Sequence, residues 1–450
     1  MRKKMHSQLP IVQPYIEHEH AAELQAMSDI LDKEPEITRL VYADLIRGGI
    51  APDTGREGMT GEQVIRALIV KQINSFSYEE LAFHLADSRS YRAFCRFGIC
   101  DRIPTRKTIQ RNIKKIRPET LEAINQLVVL RGRDEGIEGG RKVRVDCTVT
   151  ETDIHDPTDS WLLWDCVRVL TRLLYEAQEL SGVAFTDHRR RAKRRSMGIR
   201  NAKRKQSRVE MYKDLVKVTL KTAGYAKRAS EKLEQIEGVD AMRGLAAQEL
   251  ARELRHYGEL TGVVVSQTER RVLRGETVPA EEKIFSIFEP HTDIIVKDRR
   301  DPAYGHKLCL TVGATGLVLD CIVENGNPAD STLAVKMIER HHALYGRVPR
   351  QAAFDGGFAS RGNVDSIKEL GVKDVAFHKR RGLEVTEMVK SSWVYRRLRD
   401  FRAGIEGIIS YLKRSFGLNR CTWKGLPSFK AYAWSSIVSA NLLILARHML

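Results

Sequence analysis

The chain has 450 residues, with 75 Lys or Arg against 58 Asp or Glu, a formal net charge of +17. A hydrophobic content of 42% and an aromatic content of 7% are those of a soluble globular protein, and the cationic excess points to a polyanionic partner, most economically nucleic acid. A membrane surface is the competing polyanion, but the chain shows neither a lipidation motif nor a basic amphipathic helix with an exposed aromatic face.

The basic start, Met1 to Lys4, has no apolar run behind it, so no signal peptide is expected. Seven scattered cysteines, odd in number, argue against a disulfide framework and for a reducing compartment, and the chain is expected to be cytoplasmic. Residues 1–57 read as a mixed N-terminal segment with Pro10 and Pro14 and a weakly helical stretch from Glu17 to Leu45. From Thr60 the helical period sharpens. Thr60 with Gln63, and Ser77 with Glu80, have capping-box spacing. PTRKTIQRNIKKI, from Pro104, carries Arg106, Lys107 and Arg111 among five basic residues. Residues 58–138 therefore look like a helical, helix-turn-helix-like DNA-binding domain, with a solvated basic face on a small bundle as the plainer alternative.

After Gly139-Gly140 the period changes from 3.6 to 2. Val143, Val145, Cys147 and Val149 face one way, with Arg144, Asp146 and Thr148 opposite. Asp146 thus stands in the middle of a strand. Residues 158–285 then read as a helical insertion, interrupted by the run DHRRRAKRRSMGIRNAKRKQSR at 187–208, which has 11 Lys or Arg against one acidic residue. With no apolar period in view, this run, including Arg189, Arg190, Arg191, Arg194 and Arg195, is expected to be mobile or solvated when nothing is bound and to contact DNA phosphates.

Strands follow at 293–297, 306–312, 317–323, 350–354 and 373–377, with helices over 331–344 and 361–370. Asp355 ends one strand directly before Gly356-Gly357, where functional groups of open α/β sheets gather. In RRLRDFRAGIEGIISYLKRSFGLNR (396–420), Ile405, Ile408, Ile409, Leu412 and Phe416 form an apolar helical stripe, and Arg402, Glu406 and Lys413 fall on a second face. Arg402 and Glu406 could be no more than an i,i+4 salt bridge. The apolar segment 431–446 is too short and too polar to span a bilayer, and reads as a core helix.

Asp146, Asp355 and Glu406, in this order on this framework, resemble the triad of a DDE transposase of a bacterial insertion sequence, most closely an ISNCY-type element. The segments that carry the resemblance are VDCTVTETDIHDPTDSWLLWDCVRVLTR, YGHKLCLTVGATG, AAFDGGFASRGN and the C-terminal Arg402-x3-Glu406-x6-Lys413. The resemblance spans about 60–450 and implies an α/β catalytic domain at 139–450, an RNase H-like mixed sheet flanked by helices. That sheet would carry the large helical insertion after its first strand and an N-terminal all-α domain ahead of it.

By the family pattern, Asp146, Asp355 and Glu406 hold Mg2+ (or Mn2+), and Arg402 and Lys413 contact DNA. The Tyr of the family's Tyr-x2-Arg-x3-Glu-x6-Lys motif is Arg399 here, with Tyr395 as a nearby substitute. Three such carboxylates are expected to repel one another until metal arrives. His155, His306, Trp161, Trp164 and Trp423 are secondary candidates, the tryptophans as stacking partners for bases, although for Trp161 and Trp164 burial in the core of an amphipathic helix is the stronger reading. The implied function is binding of double-stranded element ends, metal-dependent phosphodiester hydrolysis and transfer of the 3′-OH to target DNA. Paired ends imply at least a homodimer, on the bacterial nucleoid. The alternatives are an RNase H-like nuclease without strand transfer and a non-catalytic, transposase-derived repressor.

Overall fold

The computed structural model describes residues 4, 17–48, 54, 58–98, 100–236, 240–296 and 301–450. Pro10, Pro14, most of the remaining 1–57 segment outside its helices, and Lys297 lie outside them. The chain divides into two compact units, one formed by 1–153 with 306–450 and the other by 154–305, and each has its own hydrophobic core.

The first unit begins with α1 (Glu19–Lys33), α2 (Pro35–Leu45), α3 (Gly61–Ile73), α4 (Tyr78–Asp87), α5 (Arg89–Phe94), α6 (Arg106–Ile113) and α7 (Pro118–Asp134). The starts of α3 and α4 are fixed locally. Thr60 and Gln63, and Ser77 and Glu80, exchange hydrogen bonds as reciprocal capping boxes that satisfy otherwise unpaired N–H groups.

Strand β1 (Lys142–Thr152) follows, and in the second unit α8 (Asp159–Ser181), α9 (Arg189–Asn201), α10 (Lys205–Glu234), α11 (Ala241–Thr268) and β2 (Asp293–Ile295). The chain continues through β3 (Ala303–Val312), β4 (Val318–Val323), α12 (Ala334–Tyr345), β5 (Gln351–Phe354), α13 (Arg361–Glu369), β6 (Asp374–Phe377), α14 (Val385–Met388), α15 (Ser392–Ser415), β7 (Arg420–Cys421) and α16 (Leu426–Met449).

The result is a mixed sheet flanked by helices. Its order is β2-β3-β1-β5-β6, with β4 on β3 and β7 on β1. Strands β1, β5 and β6 run parallel, with Val145 opposite Phe354 and Phe354 opposite Phe377. Strands β3 and β4 are antiparallel, joined by a turn whose Thr315 N–H and hydroxyl both donate to Glu138. The buried apolar run Ala352–Ala353–Phe354 of β5 fits a strand covered on both faces.

Helix α16, 94% buried over its most apolar window, is the one helix among the described residues long and apolar enough to cross a membrane. It serves as the core of this unit instead. Its Asn441 bonds Val318 of β4 and Asn125 of α7, and its Ser435 accepts from Gln72 of α3. These buried polar groups are paired, as burial requires, and they stitch the N-terminal helices to the sheet.

One expectation is corrected in part. The basic run 187–208, expected to be mobile or solvated, keeps many exposed cations but is largely helical: residues 189–201 form α9, and 205 onward begin α10. The stripe that docks α9 is Ala192, Ser196 and Ile199, all buried, which is helically spaced but too weakly apolar to read as a period. Arg191 and Arg195 both pair with Asp214 of α10, and Arg189 pairs with Asp187.

Candidate active site

Asp146 occupies a buried position in the middle of β1, 5% exposed, and its Oδ1 accepts the N–H of Cys147 at 2.8 Å. Because β5 pairs with β1 in parallel and ends opposite Val145, the next residue of β5, Asp355, emerges beside Asp146. The chain then turns through Gly356 and Gly357 against packed neighbours. A Cβ on Gly356 would come within 2.7 Å of Lys379, and one on Gly357 within 2.7 Å of Asp330. Asp330 is itself held by Lys307 Nζ at 2.9 Å, so the loop behind Asp355 is braced by an ion pair.

Helix α15 lies across β1, β5 and β6. Its buried line is Val394, Tyr395, Leu398, Arg402, Ile405 and Leu412. The sequence stripe is recovered in Ile405, Leu412 and Phe416, with Ile408 and Ile409 only partly buried. Arg402 belongs to the buried side, because a long side chain can carry its charge under the helix from the border of the apolar face.

There the guanidinium gathers three carboxylates. Arg402 Nη2 donates to Asp146 Oδ2 at 2.9 Å and stands 3.0 Å from Asp355 Oδ1, while Nη1 donates to Glu406 Oε1 at 2.9 Å. The three acids form a gradient from core to solvent, with side-chain exposures of 8%, 30% and 67%. The expectation that they repel one another in the absence of metal is therefore corrected: a fixed internal cation neutralises part of their charge.

The rear of α15 is pinned by a second arginine. Arg144 Nη1 donates to the Phe401 carbonyl at 3.0 Å, and its guanidinium lies 4.7 Å from the centre of the Phe401 ring. Lys142 Nζ sits 4.0 Å from the same centre. Burial pushes the pKa values of both cations below their usual range. Gly404 permits this approach, since a Cβ there would meet Arg144 Nη1 at 2.1 Å. Sequence reasoning missed Arg144, Lys307 and Asp330. Only Arg144 carried a signal, its place on the Asp146 face of the alternating strand.

Other candidates fall elsewhere. Lys413 is two turns beyond Glu406 on α15 and partly buried. Tyr395 is buried and donates its hydroxyl to the Phe377 carbonyl at 2.8 Å, a structural role, and Arg399 is exposed. His306 is buried with its ring 4.7 Å from that of Phe429. Trp423 is 4% exposed and packs against Tyr78 and Tyr432, so it is a core residue. Trp161 and Trp164, expected in the core, are only partly buried. His155 lies in the second unit, bonded to Asp165 at 2.6 Å.

Two basic surfaces stand out. On α6, Ile109, Asn112 and Ile113 turn inward while Arg106, Lys107, Arg111 and Lys114 are exposed. On α9, Arg190, Lys193 and Arg194 are exposed on the turns opposite the buried stripe.

The all-oxygen donors around Arg402 have the chemistry of a hard divalent cation site. Their spacing is that of carboxylates around a guanidinium. Among the described residues no group of three or more His, Cys, Asp or Glu is drawn together on its own for a metal ion.

Residues 297–442 match the family described as the Transposase DDE domain, and residues 12–115 match a second family, a Transposase domain (DUF772). The first match includes Asp355 and Glu406, and Asp146 lies outside both. No curated protein and no solved structure matches the chain.

Proposed function

The chain is a DDE transposase of the insertion-sequence kind, and from that premise we propose that it binds its element ends, cleaves them by metal-dependent hydrolysis and transfers the 3′-OH strand to target DNA. The observation that carries this reading is the meeting of Asp146, Asp355 and Glu406, from three elements, on one buried cation. A mixed sheet with its long first strand beside parallel β5 is the frame an RNase H-like core would supply for such a triad.

In this reading Asp146 and Asp355 are the rigid carboxylates, one fixed in mid-strand and the other by the glycine turn, and Glu406 closes the site from the solvent side of α15. Mg2+, or Mn2+ in its place, would be held by these three and would activate the attacking oxygen and stabilise the leaving one. Arg402 acts as the counterion of the metal-free site. Once the carboxylates are otherwise engaged, its guanidinium is released toward a DNA phosphate, which it can grip with two parallel N–H groups. The exposed cations of α6, and Arg190 and Arg194 on α9, supply sequence-independent phosphate contacts.

The test is cleavage of end DNA in Mg2+. Asp355→Asn abolishes strand cleavage while a gel shift on the same DNA persists; wild-type cleavage by that variant removes Asp355 from the chemistry.

A further inference from the structure

Within the 154–305 unit a cavity of about 810 Å³ opens between the start of α8, the helix α9 and the first turns of α10. That volume lies in the range of small-molecule sites. Its walls combine two chemistries. Trp161 and Trp164, one turn apart on α8, give it aromatic planes, and Arg168, Lys193, Arg200 and Arg208 give it cations.

Neither indole fills the core. The buried apolar positions of this part of α8 are Leu162, Leu163, Cys166 and Val167; Trp164 packs partly buried against that cluster, and both tryptophans border the cavity at the margin of the packed face. The one buried acid in the wall, Asp165, is already engaged. It pairs with His155 Nε2 at 2.6 Å and Arg168 Nη2 at 2.7 Å, which sets both side chains against the opening. The cations on α9 and α10 are exposed at the rim.

A flat aromatic partner with an attached anion satisfies both halves of this wall. We propose that the cavity binds one nucleotide, its base against Trp161 and Trp164 and its phosphate among Arg168, Lys193, Arg200 and Arg208. Base–indole stacking is sequence-tolerant, and the cations fix the phosphate end. A free nucleotide and an unpaired nucleotide of a DNA strand offer the same chemistry; where the strand is the source, the proposal rests on the DNA-binding function above.

The test uses the full chain and fluorescence anisotropy on two labelled probes of equal length, a blunt duplex and a duplex with a short single-stranded overhang. Wild type is expected to bind the overhang probe about tenfold tighter. Trp161→Ala/Trp164→Ala, and separately Arg200→Gln/Arg208→Gln, are expected to lose that preference. The second pair is exposed and spares the fold if the first does not.

Excess deoxynucleoside monophosphate that erases the preference supports the free nucleotide as ligand. A preference that survives the competitor, yet is lost in the variants, supports the strand-borne nucleotide. Variants that keep the full preference, or a wild type with neither preference nor competition, overturn the proposal. Binding of the blunt duplex is read separately, so failure of the cavity is distinguishable from failure of DNA binding itself.

Discussion

Arg402 and Asp146 meet 2.9 Å apart, a guanidinium from the middle of α15 on a carboxylate from the middle of β1, both under a tenth exposed. Removing one partner of such a pair leaves the other charge buried and uncompensated, at a cost of about 3–5 kcal/mol. Arg402→Gln is therefore expected to lower the stability of the metal-free protein by that order. Mn2+ is expected to restore more of the loss in this variant than it adds to wild type, because it replaces the missing cation. Urea melts with and without Mn2+ check this; a loss no larger than that of an exposed ion pair, below about 1 kcal/mol, would assign Arg402 a minor place.

Gly404 and Arg144 make a second testable pair. In an exposed helix interior Gly→Ala stabilises by up to about 1 kcal/mol. At Gly404 the new methyl would displace the Nη1 end of Arg144 from its hydrogen bond with the Phe401 carbonyl, so Gly404→Ala is expected to forfeit that gain or to destabilise modestly. In an Arg144→Ala background the same change should become neutral or stabilising. Additive effects in the double-mutant cycle would show that the two residues do not constrain one another.

The basic surfaces are expected to act through phosphates. Replacing Arg106, Lys107 and Arg111 by Gln should weaken DNA binding at all sequences alike, and reduce the slope of log K against log salt by up to about 0.9 per lost contact. Arg190→Gln/Arg194→Gln should behave the same way without loss of helix content. Arg191→Gln/Arg195→Gln should also loosen α9, since both residues hold Asp214. An unchanged salt slope in any set removes that set from the interface.

His341, 1% exposed on α12, has its pKa pushed down to about 4 by burial. An unfolded histidine takes its proton near pH 6.5 and this folded one resists until about pH 4, so in that window the unfolded state binds more protons. The stability tied to a neutral His341 is thus complete above pH 6.5 and falls away as the pH drops to about 4. His341→Leu should flatten part of the acid loss, by up to roughly 3 kcal/mol between pH 7 and 4. Parallel pH profiles for wild type and variant would contradict it.

The strands that frame the site were legible because alternation in β1 and the apolar runs of β5 and β6 leave little freedom, and because Asp355 is followed by two glycines. Helix α15 was legible by its period. Its angular bookkeeping placed Arg402 beside Glu406 on the polar border, whereas the side chain turns under the helix; periodicity locates a Cα and says nothing of where a seven-atom side chain ends. Helix α9 was hidden for the opposite reason, since Ala192 and Ser196 bury well yet carry little hydrophobic signal. Trp423 is buried and Trp161 and Trp164 are only partly buried, the reverse of the expected burial, because burial depends on what packs against a ring, and Tyr78 and Tyr432 come from distant parts of the chain. The two-residue strand β7 pairs with β1 across a sequence separation of 269 residues, a contact no local pattern marks.

The most direct measurement is Mn2+ binding to the DNA-free protein by isothermal titration calorimetry, for wild type, Asp146→Asn, Asp355→Asn and Glu406→Gln. If the three carboxylates are an active site whose metal-free state is held by Arg402, wild type binds Mn2+ and each of the three variants weakens that binding by about tenfold or more, the order of one lost charged contact. Affinities in the variants equal to that of wild type would make the cluster a structural ion network and contradict its assignment as the metal-dependent centre.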